Sequence, residues 1–138
     1  MEAGRPVLIA PPQLVQLKGT RIVVAWKDRP EARRAVTAAL PFLRDADQVF
    51  VATVGDDAGH EGAEAVTGHL VRHGAHATTH LMRAVRQESD DILEFAQHQD
   101  ADLVVMGAYG HSRLREWIFG GVTRDALERS PVCCLMSH

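Results

Sequence analysis

The chain has 138 residues, 46% of them hydrophobic, with charges of both signs mixed along its length. That fills one compact domain and leaves no room for a second complete one. A net charge of −3, an isoelectric point near 6.2 and an aromatic content of 5% supply neither the positive field nor the stacking surfaces that nucleic acid requires. No apolar run approaches the roughly 20 residues that cross a bilayer, and residues 1 to 20 lack the pattern of a secretory signal, so a cytoplasmic protein is expected.

In chain order, Arg5-Pro-Val-Leu-Ile-Ala10 echoes Ser130-Pro-Val-Cys-Cys-Leu135 near the other end. Arg21 to Trp26 reads as a buried strand. Pro30 to Leu43 follows as a helix, with apolar residues at 32, 35, 36, 39, 40 and 43 and a proline at the first turn, where its missing N–H costs nothing. Gln48 to Val54 is a second strand, Glu61 to His73 a helix ended by Gly74, and Ala77 to Met82 a third, more alternating strand. A helix from Asp90 to Gln99 takes Ser89 as its expected N-cap. The apolar run 102 to 106 is the fourth strand, 122 to 129 a last helix, and Pro131 to Met136 the fifth strand. Strands alternating with helices imply an α/β fold, a parallel sheet with helices on both faces. The two cysteines, Cys133 and Cys134, are adjacent in that last strand, so their side chains point to opposite faces and read as small buried hydrophobes. Intermolecular pairing or thiol chemistry is the other reading.

Residues 107 to 123 carry the chemistry. They run Gly-Ala-Tyr-Gly-His-Ser-Arg-Leu-Arg-Glu-Trp-Ile-Phe-Gly-Gly-Val-Thr directly after the fourth strand. A strand that ends in glycines before a helix exposes bare N–H groups and a positive helix end, which suits phosphate. No Gly-Lys-Ser/Thr opens the helix, and three glycines do not fall within six residues, so neither a Walker loop nor a dinucleotide fingerprint is present. The spacing Gly-x2-Gly-x9-Gly, with the wording Gly-Ala-Tyr-Gly-His-Ser-Arg-Leu-Arg-Glu, resembles the nucleotide-binding loop of the universal stress protein family, in particular of its bacterial members. The resemblance extends over roughly residues 20 to 137.

That resemblance implies a doubly wound sheet whose five domain strands are ordered 3-2-1-4-5. Its switch point, where such sheets bind ligands, then lies between domain strands 1 and 4, with the loops Ala25 to Pro30 and Gly107 to Thr123 facing each other. It also implies that residues 5 to 10 are the proline-opened last strand of another such domain. On this reading residues 1–19 are a strand and linker left from an upstream domain of a tandem protein, and residues 20–138 are the domain itself. Because family members often pair through their last strands, residues 6 to 10 are expected antiparallel to residues 131 to 136, covering that edge. A loosely attached arm is the alternative.

The implied ligand is an adenine nucleotide, ATP with or without magnesium. Gly107 and Gly110 let the backbone approach phosphate, and Gly120, Gly121, Val122 and Thr123 offer N–H donors, with a hydroxyl on Thr123. Gly121 stands where the family commonly has serine. Lys27 stands where nucleotide-binding members usually place an aspartate after Val or Trp. Asp28 comes one residue late, so Ala25, Trp26, Lys27 and Asp28 form the first loop of the candidate site. His111 could hydrogen-bond phosphate, and Arg113, Arg115 and Arg124 either neutralise phosphates or are solvated. Val54 and Met106, ending adjacent strands near the crevice, could touch a base or simply pack. Trp117, Ile118 and Phe119 read as an anchor of the loop. His69, His73, His76 and His80 lack an acidic or cysteine ligand to complete a metal set and read as solvated.

No catalytic residue and no metal site is assigned. A nucleotide-binding stress module acting by ligand-tuned association is the first reading, as a homodimer or tandem pair through the last strand. A nucleotide-independent dimerising module with a degenerate site is the second. Slow ATP hydrolysis assisted by Asp28 or His111 is the third.

Overall fold

The computed structural model describes residues 5–10, 16–55, 60–108 and 132–137. The elements are β1 (Pro6–Ile9), β2 (Arg21–Ala25), α1 (Pro30–Asp45), β3 (Gln48–Val54), α2 (His60–Arg72), β4 (Ala77–Met82), α3 (Glu88–His98), β5 (Leu103–Gly107) and β6 (Cys133–Ser137). They build one six-stranded sheet in the order β1-β6-β5-β2-β3-β4. Strands β2 to β6 are parallel, and their order is the expected 3-2-1-4-5 in domain numbering. β1 adds to β6 antiparallel, Pro6 opposite Ser137 and Ile9 opposite Cys134, which bears out the edge-covering strand. The last helix expected from the sequence lies outside the described residues.

Alternation along the strands sorts the core into two layers. Ile22, Val24 and Trp26 of the β2 segment, with Val49, Val51, Leu103, Val105, Cys133 and Leu135, pack under α1 and α2. Val23, Ala25, Phe50, Ala52, Val104, Met106, Cys134 and Met136 face α3 through Ile92, Leu93 and Ala96. The adjacent cysteines therefore enter opposite layers, both buried and neither in a disulfide. Burial pushes the Cys133 thiol up, with the nearby Asp102 carboxylate adding to the effect. A sheet buried on both faces explains why its central strands read as unbroken apolar runs.

Local chemistry sets the helix ends. α2 closes with Gly74 at φ +93°. The Ala75 N–H donates to the Leu70 carbonyl and the Gly74 N–H to that of Val71, the Schellman pattern that a left-handed glycine permits. α3 ends the same way on Asp100 at φ +54°, with Ala101 bonded to Ala96 and Asp100 to Gln97. α1 runs two residues beyond the expected Leu43, through Pro41, because Ala46 still donates to Phe42 and closes a last turn.

The expected N-cap of α3 is corrected. Gln87 occupies that position and makes no side-chain cap bond, while Ser89 is buried within the first turn. Asp91 organises this end instead. Its carboxylate accepts the Val85 N–H at 3.0 Å and the Arg86 N–H at 3.2 Å, so the chain entering α3 is tied to a side chain one turn inside it.

Candidate functional site

In a parallel sheet every strand ends, and every following helix begins, on the same side, so loops from distant parts of the sequence meet there. Register places the meeting point. Ala25, the last residue of β2, pairs with Ala52 of β3 on one side and Met106 of β5 on the other. β2 is thus where the order reverses, and the segment after it lies beside Gly107, which ends β5. Gly107 pairs with Ser137, and the N–H of Ala108 donates to the Ser137 carbonyl at 2.9 Å, holding the exit of β5 in line before residue 109.

The first loop is now resolved residue by residue. Trp26 continues the sheet, its N–H donating to the Ala52 carbonyl at 2.8 Å. Its ring is buried at 3% exposure in the α1/α2 layer, and its indole Nε1 has no hydrogen-bond partner among the described residues. Gly62 of α2 lies directly against that nitrogen: a Cβ added there would stand 3.1 Å from Nε1 and 3.6 Å from Cβ of Asp28. Close approach is therefore a reason for glycine at position 62, and it brings the start of α2 to the same end of the sheet.

Lys27 does not stand alone at this edge. Its Nζ lies 2.8 Å from the Glu88 carboxylate in the first turn of α3, a pair across 61 residues that joins the β2 loop to the third helix. Asp28 pairs with Arg33 of α1 and is 63% exposed at its side chain. Its carboxylate is engaged along α1. Arg29 precedes α1, whose Pro30 and Glu31 suit a helix start.

Val54 and Met106 are not neighbours, since β2 runs between their strands, which corrects their description as ends of adjacent strands. Met106 is buried against α3, and Val54 is half-buried beside the same layer. Ala25, Trp26, Lys27, Asp28, Val54, Met106 and Gly107 all belong to the carboxyl ends of β2, β3 and β5 or the segment just beyond. Gly110, His111, Arg113, Gly120, Gly121, Val122 and Thr123 lie outside the described residues, as do Arg115, Arg124 and the Trp117 to Phe119 cluster.

Sequence reasoning missed Glu88. The signal was available in principle: Glu88 opens a helix that follows a parallel strand, and such helix starts share the edge on which Lys27 sits. Among the histidines, His69 and His73 are exposed and stack on one another along α2. His80 departs from the solvated reading, packing against Phe50 and Phe95 with its Nε2 at 2.8 Å from the Thr78 hydroxyl. Burial lowers its pKa. No group of three or more metal-ligating side chains occurs among the described residues, nor is any described helix long and apolar enough to cross a membrane.

A family model described as the universal stress protein family matches residues 19–138. Among solved structures, a universal stress protein from Archaeoglobus fulgidus DSM 4304 superposes with a TM-score of 0.71 at 20% identity, over 97% of this chain and 50% of that one. This chain therefore spans half the length of that relative. A universal stress protein in complex with cAMP matches with a TM-score of 0.61 at 21% identity, over 86% of this chain and 96% of the other. The universal stress protein from Archaeoglobus fulgidus in complex with dAMP matches with a TM-score of 0.57 at 22% identity, covering 87% and 99%. No curated protein matches the sequence.

Proposed function

For a chain that belongs to the universal stress protein family, we propose binding of an adenine nucleotide in the crevice at the carboxyl ends of β2 and β5. The observation that carries this reading is the register that sets Ala25 beside Met106, so that the first loop and the glycine segment leave the sheet side by side at its point of reversal. Gly107 and Gly110 admit the phosphates, the N–H groups of Gly120, Gly121, Val122 and Thr123 bind them with the Thr123 hydroxyl, and His111 and Arg113 add hydrogen bonds and charge. Ala25 to Asp28, with Val54 and Met106, line the base and ribose side. The cAMP and dAMP complexes of similar folds favour the adenine class. ATP, alone or with magnesium, is the ligand proposed, and its occupancy tunes association rather than feeding a reaction.

A second reading has its own observation. Lys27 is ion-paired with Glu88, and Asp28 with Arg33, so both polar side chains of the first loop already have protein partners. That favours a nucleotide-independent module with a degenerate site. We further propose that residues 1–19 are a strand and linker left from an upstream domain, and that the chain pairs through its last strand in a tandem protein or homodimer. The match to half of a longer chain over 97% of this one, which reaches beyond residues 19–138, supports that division.

Calorimetric titration of nucleotide-stripped protein with ATP and magnesium tests the binding, alongside Gly110→Val, whose side chain blocks the phosphate path. Saturable binding lost in the variant is expected. Absence of both heat and thermal stabilisation at millimolar ATP sinks the first reading in favour of the second, and recovery of the nucleotide as ADP would turn it into slow hydrolysis.

A further inference from the structure

Two polar contacts fix how α3 lies on the sheet. At the start of β2, Nε of Arg21 donates to the Gln99 carbonyl at 2.6 Å, and just beyond the end of that strand Nζ of Lys27 is 2.8 Å from the Glu88 carboxylate. The helix therefore runs antiparallel to β2, with its C-terminal end over the first residue of the strand and its first turn at the carboxyl edge where the candidate site lies. It packs on β3 and β2. A nucleotide whose phosphates sit at the glycine segment after β5 has its base on the β2 and β3 side, the side that the first turn of α3 covers.

Ser89 is the inward residue of that turn. Ile92, Leu93 and Ala96 follow it at helical spacing and pack on the sheet in one layer with Ala25, Ala52 and Met106. Ser89 shares their face and is 2% exposed. Helix side chains lean towards the N-terminus, so the serine leans past this layer towards the carboxyl edge. Its hydroxyl has no hydrogen-bond partner among the described residues. The layer itself shows why, since Ala25, Ala52, Met106 and the half-buried Val54 offer no polar side chain. Buried hydroxyls are in large majority partnered, so an orphan marks a place where another molecule supplies the bond.

The other buried side-chain atoms without a partner among the described residues are Trp26 Nε1, Asp102 Oδ1 and Ser137 Oγ, and none of them faces α3 at the candidate site. Trp26 lies on the opposite face of the sheet, where Gly62 closes over its Nε1. Ser137 alternates onto that same face two residues after Leu135. Asp102 is at the far end of the sheet, and its other oxygen accepts both the N–H and the hydroxyl of Thr20 at 3.0 Å.

We propose that Ser89 is a ligand-binding residue, whose hydroxyl hydrogen-bonds the edge of the adenine ring when the base enters between the β2 loop and the first turn of α3. This rests on the nucleotide reading above and adds to it a residue and a wall from the third helix. A hydroxyl donates one bond and accepts two, which suits an edge that carries ring-nitrogen acceptors beside an amino group. Glu88 stands one residue outside it with its side chain 20% exposed, so the hydroxyl lies just inside the protein surface.

Calorimetry and NMR on the full chain test this. Ser89→Ala removes the hydroxyl and puts the best helix former in its place, so the variant folds. It should weaken ATP binding about two- to tenfold, the effect of one hydrogen bond, while the Tm of the free protein holds or rises because no internal bond is lost. Isotope-labelled wild type saturated with unlabelled ATP should give NOEs from the adenine ring protons to the Hβ protons of Ser89. Unchanged ATP affinity in Ser89→Ala, or NOEs from the ring to Ala25 and Val54 but not to Ser89, overturns the proposal and leaves nucleotide binding standing. A lower Tm of the free variant also overturns it, since the hydroxyl then has a partner within the protein. Failure of the wild type to bind ATP overturns both this proposal and the reading on which it rests.

Discussion

Replacing Asp91 by alanine tests how the third helix is held at the edge where the candidate site lies. The carboxylate is 5% exposed and accepts the N–H groups of Val85 and Arg86 at 3.0 and 3.2 Å. Hydrogen bonds to a charged group contribute about 1.5–3 kcal/mol each when lost from a protein interior. Three terms reduce the total here. Val85 is 81% exposed, so water can reach the released N–H groups; burying the carboxylate is itself unfavourable; and alanine gains a few tenths of a kcal/mol of helix propensity over aspartate. The lost interaction with the positive helix end acts in the opposite direction, by about 0.3–1 kcal/mol. A net loss of about 1–2 kcal/mol follows, or about 3–8 °C in Tm for a chain of this size. Urea unfolding at neutral pH measures it, with Asp91→Asn falling between wild type and alanine because it keeps one acceptor oxygen. Glu94, whose ion pair with Arg86 is exposed, is the control, and Glu94→Ala should change stability by well under about 1 kcal/mol. Stability of Asp91→Ala within about 0.3 kcal/mol of wild type would refute the capping role, since surface substitutions away from any special feature lie within about 0.5 kcal/mol.

Further expectations follow from individual residues. Asp100 pays for a left-handed conformation and sets a negative charge at the C-terminal end of α3, so Asp100→Gly should stabilise by about 0.5–1 kcal/mol in the same unfolding assay. His80 has its pKa lowered by burial, so the unfolded chain takes up that proton more readily than the folded one. Its contribution to stability is intact above the unfolded value near 6.5 and is lost as pH falls below it. Thermal unfolding should therefore show a fall in Tm between pH 7.5 and pH 5.5 that is smaller in His80→Gln. Lys27→Asp exchanges the Glu88 ion pair for a like-charge repulsion and supplies the carboxylate that the family resemblance expects after the first strand. It should lower stability by up to about 1 kcal/mol while tightening ATP binding several-fold by calorimetry; weaker binding would remove Lys27 as the departure that limits the site.

Much of the fold was readable because apolar spacing is dictated by burial. Gln48–Val54 and Ala77–Met82 appear at the boundaries their patterns indicate, and the alternation that sends Cys133 and Cys134 to opposite layers is a property of any strand. The strand order came with the family resemblance, since periodicity does not say which strands are neighbours. The echo of residues 5–10 in 130–135 pointed to a strand at β1, while its antiparallel direction beside β6, like the strand order, came with the family resemblance. What local patterns could not show were interactions set by tertiary approach. Ser89 resembles an N-cap by type and position, yet Asp91 reaches back from inside the helix. Lys27 finds Glu88 only once β2 and α3 bring their ends to one edge. His80 looks like its exposed neighbours until Phe50 and Phe95 close around it.

The most direct test of nucleotide binding at the reversal point of the sheet is a backbone amide NMR titration of this 15.1 kDa chain with ATP. Shifts are expected at Ala25 to Asp28, Val54 to Gly55, Met106 to Gly110 and Gly120 to Thr123, with Thr20, Gln48, His76 and Asp102 at the opposite end of the sheet unmoved. Shifts concentrated at that opposite end, or none at saturating nucleotide, would contradict the account.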